Sequence, residues 1–425
     1  MDRRAFIAGT AASLSLIPLR PGQAAPAADV KATLNVFRPA SDSDIRLSNA
    51  AMERFKARYP NVTVNVQYVN TNPWGEYINQ IMNLVGSNQA PDIVMMATEG
   101  VSTLATRNLM RDVMPFVNGD PQGKALFDDI EPNLLNGLRY NNQLSYIPNE
   151  WNTVVTFYNA AMFAEAGLQK PKVDWSWSNF LETAKALTKR DGDKVARYGY
   201  FIPGGQFALS TWFLSNGTDR LTPDGRSSNA KDPKFAEALQ FLHSLIFDHK
   251  VAPIFARNEP GHGPFIAKQA AMFAGTHTRV PEMAQAKMDT VEVQYCPRNK
   301  AQITICGVGG LGIMQASRNP ELAWELLKEL AGKANADQLA KDLRAIPAVR
   351  SSATSDAYVS YPPNSGIFYG SAARAKPLVQ PPNFAQVEDI TMRHIEAYLT
   401  NNQKLDPMLA SLDDELSRAM ARVKW

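Results

Sequence analysis

Five segments at the start of the chain alternate in period, and few folds accept that order. Residues 33–37 (Thr-Leu-Asn-Val-Phe) are short and mostly apolar, as a central strand requires. Residues 43–59 carry Leu47, Ala50, Ala51, Phe55 and Tyr59 at helical spacing, and Tyr59-Pro60 stops that helix. Residues 62–68 alternate Val62, Val64, Val66 and Tyr68; a helix is predicted over 77–85 and a third strand over 92–96. The order is βαβαβ, with crossovers long enough for parallel pairing. In such open α/β sheets ligands gather outside the carboxyl ends of the strands. Those ends fall at 38–42, 70–74 and 97–99, which makes Asp42, Trp74 and Glu99 candidate ligand contacts.

The 425 residues leave room for two domains with sizeable cores. A hairpin is predicted over 139–147, turning at Asn141-Asn142. It leads into the stretch 144–188. There an apolar segment is followed by the patch Asn149-Glu150-Trp151-Asn152 and a β-rich run over 153–158. A helix over 159–166 then ends at Gly167, a residue that tolerates the left-handed conformation. A Trp-rich loop (175–177) opens a second helix over 179–188; further helices are predicted over 207–215, bearing Trp212, and over 232–248. Residues 291–295 and 303–305 read as a hairpin flanked by Cys296 and Cys306, whose sulfurs either form a cross-strand disulfide or remain two buried thiols. Gly307-x-Gly309-x-x-Gly312 has the form of a dinucleotide fingerprint, yet no helix opens until about Pro320 and no acidic residue follows at the required distance. Glycines here instead let backbone approach a ligand or another part of the chain, so Gly309 and Gly310 are candidate contacts. Helices over 321–331, 335–342, 384–400 and 407–423 close the chain.

Residues 1–27 read as a twin-arginine signal peptide. Arg3-Arg4 precede a short apolar stretch, Asp2 stands where Ser or Thr is usual, and Ala25-Pro26-Ala27 has the small-x-small form of a cleavage site. The mature protein is then expected in the periplasm. Removing these residues lowers the net charge from +3 by two, and no Lys/Arg cluster remains to suggest nucleic acid. No later apolar run approaches the ~20 residues of a membrane span. The five histidines are scattered, and no catalytic, metal or cofactor motif accompanies them, so the sequence implies no cofactor and no enzyme.

The ordered motifs resemble the extracellular solute-binding proteins that serve carbohydrate ABC transporters, the maltose-binding-protein-like family. The resemblance rests on Phe55, Tyr59-Pro60, Pro91-Asp92-Ile93-Val94, Tyr146, Ile147-Pro148, Phe157-Tyr158-Asn159, Met162-Phe163, Ala166-Gly167-Leu168 and residues 265–275. It implies an α/β fold of two lobes, the class II periplasmic-binding-protein type, with a cleft between them and hinge crossings. The first lobe is expected over 30–147 with 309–349, the second over 148–308 with 350–425. The implied function is capture of a mono- or oligosaccharide by a monomer and its delivery to inner-membrane permease subunits. The alternatives are an anionic ligand such as a glycerol phosphodiester, or a secreted polysaccharide-active enzyme using a carboxylate pair.

A sugar site needs an aromatic plane and fixed polar groups. Glu150, Trp151 and Asn152 at the crossing, Trp212 and Arg344 are therefore candidates. His277 stands where the family often places a stacking tryptophan.

Overall fold

The computed structural model describes residues 25–39, 42–69 and 74–423, without the side chains of Asp42, Ser43 and Trp74. The expected signal peptide thus lies outside the described residues except for its last three positions.

Nine strands form one sheet among the described residues: β1 (Ala32–Pro39), β2 (Val62–Val69), β3 (Ile93–Ala97), β4 (Ile147–Asn159), β5 (Met272–Thr276), β6 (Val291–Gln294), β7 (Thr304–Ile313), β8 (Ile346–Pro347) and β9 (Ala375–Pro377). The order runs β6-β4-β7-β3-β1-β2, with β5 and β8 also on β4 and β9 on β7. β1 pairs in parallel with β2 and β3, as the βαβαβ reading requires. Ten of the helices are α1 (Asp42–Arg58), α2 (Trp74–Gly86), α3 (Thr98–Ala105), α4 (Trp177–Leu187), α5 (Gln206–Ser215), α6 (Pro233–Phe247), α7 (Pro320–Ala331), α8 (Lys333–Lys341), α9 (Phe384–Leu399) and α10 (Leu405–Met420).

Local sequence explains the elements. Leu47, Ala51 and Phe55, four apart, bury one stripe of α1. Ser176 and Asn179 form a reciprocal cap at the start of α4, which places Trp177 in the first helical turn rather than in a loop. Asn159 caps the helix Ala160–Glu165 by accepting from the Met162 amide, and Gly167 follows with φ +68°.

β4 is the spine. Its thirteen residues pair with β7 over 147–153 and with β5 and β6 over 154–159. Successive side chains of a strand point to opposite faces. Val155 and Phe157 therefore enter one core, with Phe37, Ile93, Leu311 and Phe368, while Val154 and Tyr158 enter a second, with Phe180, Trp212, Leu242 and Leu412.

The hairpin expected over 291–305 is absent. β6 and β7 do not pair with each other; they bond to successive stretches of β4. Residues between them leave the sheet, and the Arg298 amide and carbonyl bond to Trp175 and Trp177. Cys296 and Cys306 are unbonded and belong to different cores, so the disulfide alternative fails on geometry. Burial pushes both thiols up to about 12.

Candidate ligand-binding site

The carboxyl end of β1 delivers Arg38, which is only 3% exposed. Its Nη2 reaches Asp44 Oδ1 at 3.4 Å, while Nε and Nη1 are enclosed without partners. Asp44, on the first turn of α1, also accepts from Arg344 Nη2 at 2.9 Å, and Arg344 Nη1 pairs with Glu150. The charge of Glu150, and then that of Asp44, holds the Arg344 guanidinium above its ordinary pKa against the opposing effect of burial. Four alternating charges thus join β1, α1, the loop after α8 and β4. Beside them is a depression of about 280 Å³, open mouth included, lined in part by Arg38, Asp44, Leu47, Asn149, Glu150 and Asn335.

The patch 149–152, which lies before the β-rich run expected over 153–158, is itself part of β4. Trp151 is 1% exposed and meets Tyr369 edge-on at 6.0 Å. Its Nε1 is enclosed without a partner, as are Asn149 Oδ1 and Asn152 Oδ1. Buried polar atoms normally find a partner, so each of these atoms calls for a ligand group or an ordered water.

Gly309 and Gly310 lie on β7 opposite this patch, where the ladder carries a bulge. The close approach they permit is within the sheet. A Cβ on Gly310 would sit 2.4 Å from Leu138 Cδ1 and 2.9 Å from the Ile147 carbonyl oxygen, and one on Gly309 2.7 Å from Met95 Cε.

Glu99 is the second residue of α3, two past the end of β3. Its Oε2 is enclosed and has no hydrogen-bond partner. Burial, and then the charge of Glu388 on α9, pushes its carboxyl above the usual range. Glu388 is raised by burial too, against the pull of Arg220 and Arg257. Two bonds hold α3 onto the segment entering α9: Ser102 Oγ donates to the Gln380 carbonyl at 3.2 Å and Thr103 Oγ1 to that of Pro382 at 3.5 Å. The start of α2 meets α9 as well, since a Cβ on Gly75 would touch Ala385 Cβ at 3.9 Å. Arg220 is fully buried. It donates to Asp219 Oδ1 (3.2 Å) and the Val379 carbonyl (3.0 Å). With the Gln206 amide oxygen turned toward it, that oxygen is 3.0, 3.1 and 2.7 Å from its three nitrogens.

The fold brings Glu150 and Arg344 into direct contact; Trp151, next along β4, turns the other way into the core of Val155 and Phe157. Trp212 is placed elsewhere. It is buried in the second core with Phe180 at 5.1 Å, Phe241 at 5.5 Å and Trp177 at 5.6 Å. His277 is fully enclosed, stacked on Tyr358 at 5.1 Å and edge-on to Phe368 at 4.8 Å. Burial lowers its pKa to about 3, so the ring is neutral. Asp42 and Trp74 stand at the first positions of α1 and α2; their side chains lie outside the described residues. Sequence reasoning missed Asp44 and Glu388. Asp44 was within reach, two residues past Asp42 on the same helix start. Glu388 carried no signal, being one acidic residue on a polar helix face.

Among the described residues no group of three or more His, Cys, Asp or Glu is placed to hold a metal, and no helix is long and apolar enough to cross a membrane. The family model for bacterial extracellular solute-binding proteins matches residues 42–337. The fold is similar to that of the ABC substrate-binding protein Lmo0181 of Listeria monocytogenes, solved with cycloalternan. The TM-score is 0.76 at 19% identity, over 92% of this chain and 100% of that one. The sugar-binding protein MalE of Xanthomonas citri gives a TM-score of 0.80 at 16% identity, over 92% and 98%. A Brucella abortus (strain 2308) protein named as a binding protein is 23% identical over 442 residues, 99% of each chain. With more than half of its length under that family model, the chain belongs to the bacterial extracellular solute-binding proteins.

Proposed function

We propose that the protein is the periplasmic component of an ABC importer, exported by the twin-arginine route. It captures a mono- or oligosaccharide between two lobes and hands it, chemically unchanged, to inner-membrane permease subunits. The lobes of this reading are 30–147 with 309–349, and 148–308 with 350–425. The observation that carries it is the group of unpartnered polar atoms on the strand ends and the crossing: Glu99 Oε2, Asn149 Oδ1, Trp151 Nε1 and Asn152 Oδ1. Hydroxyl groups, which both donate and accept, would satisfy all four. Solved relatives that hold cycloalternan or α-D-tagatose give the reading its ligand class.

Capture then requires that the ligand bind the closed arrangement better than an open one, because only differential affinity shifts such an equilibrium. The contacts of α2 and α3 with the segment around 380–385 are those that opening would break. An anionic ligand has little support, since Arg344 is already engaged by two carboxylates. The test is a panel of neutral, acidic and basic mono- and oligosaccharides, read by thermal shift and calorimetry. At least one should give a one-to-one isotherm and a large rise in Tm; a panel that leaves Tm unmoved throughout rejects the carbohydrate assignment. Size-exclusion chromatography with light scattering should return the mass of one chain.

A further inference from the structure

Arg38 is under-bonded for a charge so deeply buried. A guanidinium carries five N–H donors in a fixed fork. Arg38 reaches Asp44 Oδ1 at 3.4 Å, near the limit of a hydrogen bond, while the same carboxylate meets Arg344 at the shorter 2.9 Å. Its Nε and Nη1 are enclosed and find no partner. Two amides share the depression that Arg38 lines. The Oδ1 atoms of Asn149, on β4, and Asn335, in the first turn of α8, are likewise enclosed and unpartnered. Asn335 is held in that orientation, because its Nδ2 donates to the Leu330 carbonyl at 2.7 Å. Leu47, Leu330 and Leu339 contribute apolar wall. The enclosed part of the depression has room for one oxygen-sized group. Unused donors on a buried cation therefore open onto the same small space as unused amide acceptors.

We propose that Arg38, Asn149 and Asn335 form a subsite for one hydroxyl of a neutral saccharide, and that Arg38 sets the preference for it. This rests on the carbohydrate reading above and narrows it. Three kinds of ligand group would meet the lining differently. A carboxylate or phosphate suits the donors of Arg38, but it would face two amide oxygens that also only accept. It would also upset a balance, since Arg38 and Arg344 are matched by Asp44 and Glu150. An ammonium suits the amide oxygens, but it would bring another cation against a guanidinium whose donors it cannot use. A hydroxyl accepts from Arg38 and donates to an amide oxygen, and it leaves the balance of charge untouched. A water molecule would do the same in the absence of sugar. The ligand hydroxyl can then replace that water without losing its hydrogen bonds.

The test is calorimetry on the full chain with glucose, galactose, maltose and cellobiose, each beside its monodeoxy, amino and uronate forms. A neutral parent should bind at least tenfold more tightly than its amino and uronate forms. One monodeoxy form, lacking the seated hydroxyl, should lose at least tenfold. Arg38→Met keeps much of the side-chain volume and leaves Asp44 to Arg344. It should weaken the parent at least tenfold and shrink the loss from that deoxygenation to below twofold. If Arg38→Met does not fold, Asn149→Asp, at a half-buried position, takes its place. The new carboxylate should occupy the donors of Arg38 and weaken the parent by a similar factor. Uronate or amino forms that bind as tightly as the parent would overturn the proposal. So would unchanged parent affinity in the variant, or a deoxygenation loss that persists in full there, which would leave an ordered water only. If no saccharide binds, the carbohydrate reading has failed, and glycerol and sodium sulfate then judge the subsite by thermal shift. A Tm rise with glycerol that is smaller in the variant keeps it. A rise with sulfate that the variant loses, or no difference between the proteins, rejects it.

Discussion

Single residues here pay for position in measurable ways. Glu415 on α10 is held at about pKa 2 by Arg393 and then by His394, which contacts it at 3.0 Å. A depressed carboxylate stabilises the fold above its unfolded pKa, and that stability is lost as pH falls through the folded one. Glu415→Gln should therefore lower unfolding free energy by about 1 kcal/mol at pH 7, a modest value for a partly exposed network. The difference should shrink between pH 4.5 and about 2, as urea denaturation at several pH values will show. Glu99 carries the opposite sign. Its raised carboxyl costs nothing below the unfolded pKa, and the penalty grows as pH rises through the folded value. Glu99→Gln should raise the Tm of the ligand-free protein at pH 8 and leave it nearly unchanged at pH 4. Trp151 is buried with a core face against Tyr369, so Trp151→Ala should cost about 3–5 kcal/mol of stability whatever it does to ligand. If stability holds and only affinity falls, the indole belongs to the ligand and not to the core.

At the scale of elements, the sheet crossing is where local rules are tightest. Gly310 occupies β7 with backbone and side chains on every side, so Gly310→Ala should destabilise by about 1–3 kcal/mol through overpacking. Ala in place of Gly86, where a Cβ meets nothing within 4 Å, is the control and should be neutral or better. Most elements were legible in the sequence because their signals are local. The α1 stripe, the Val62-to-Tyr68 alternation, the Gly167 stop and the β-run of 153–158 each name their own conformation. The patch 149–152 was not legible as strand. Its polar and aromatic residues lack the apolar alternation of a half-buried strand, and only the flanking β7 and β8 draw it into the ladder. The false hairpin at 291–305 has the same origin. Two short β-runs around a Pro-Arg-Asn turn fit a hairpin locally, but β4 offers both a longer partner.

For the molecule as a whole, the candidate site was half legible. Glu99, Glu150, Trp151 and Arg344 follow from where strands end and chains cross. Asp44 and Glu388 depend on which helix faces meet, and Trp212 on which core claims an indole; neither is written in local spacing. Ligand binding acts on the whole fold by mass action, so a saturating sugar at a hundred times its Kd should add about 2.7 kcal/mol to stability. Both cores should gain together in one transition, because β4 runs through both. The two thiols make that claim readable without adding any label. Cys306 is sealed in one core and Cys296 in the other, and each is unreactive while its surroundings stay shut. Trapping with a thiol reagent under rising urea, followed by peptide mass analysis, will clock the opening of each core on its own. Equal rates mean one cooperative unit, and unequal rates identify the core that loosens first.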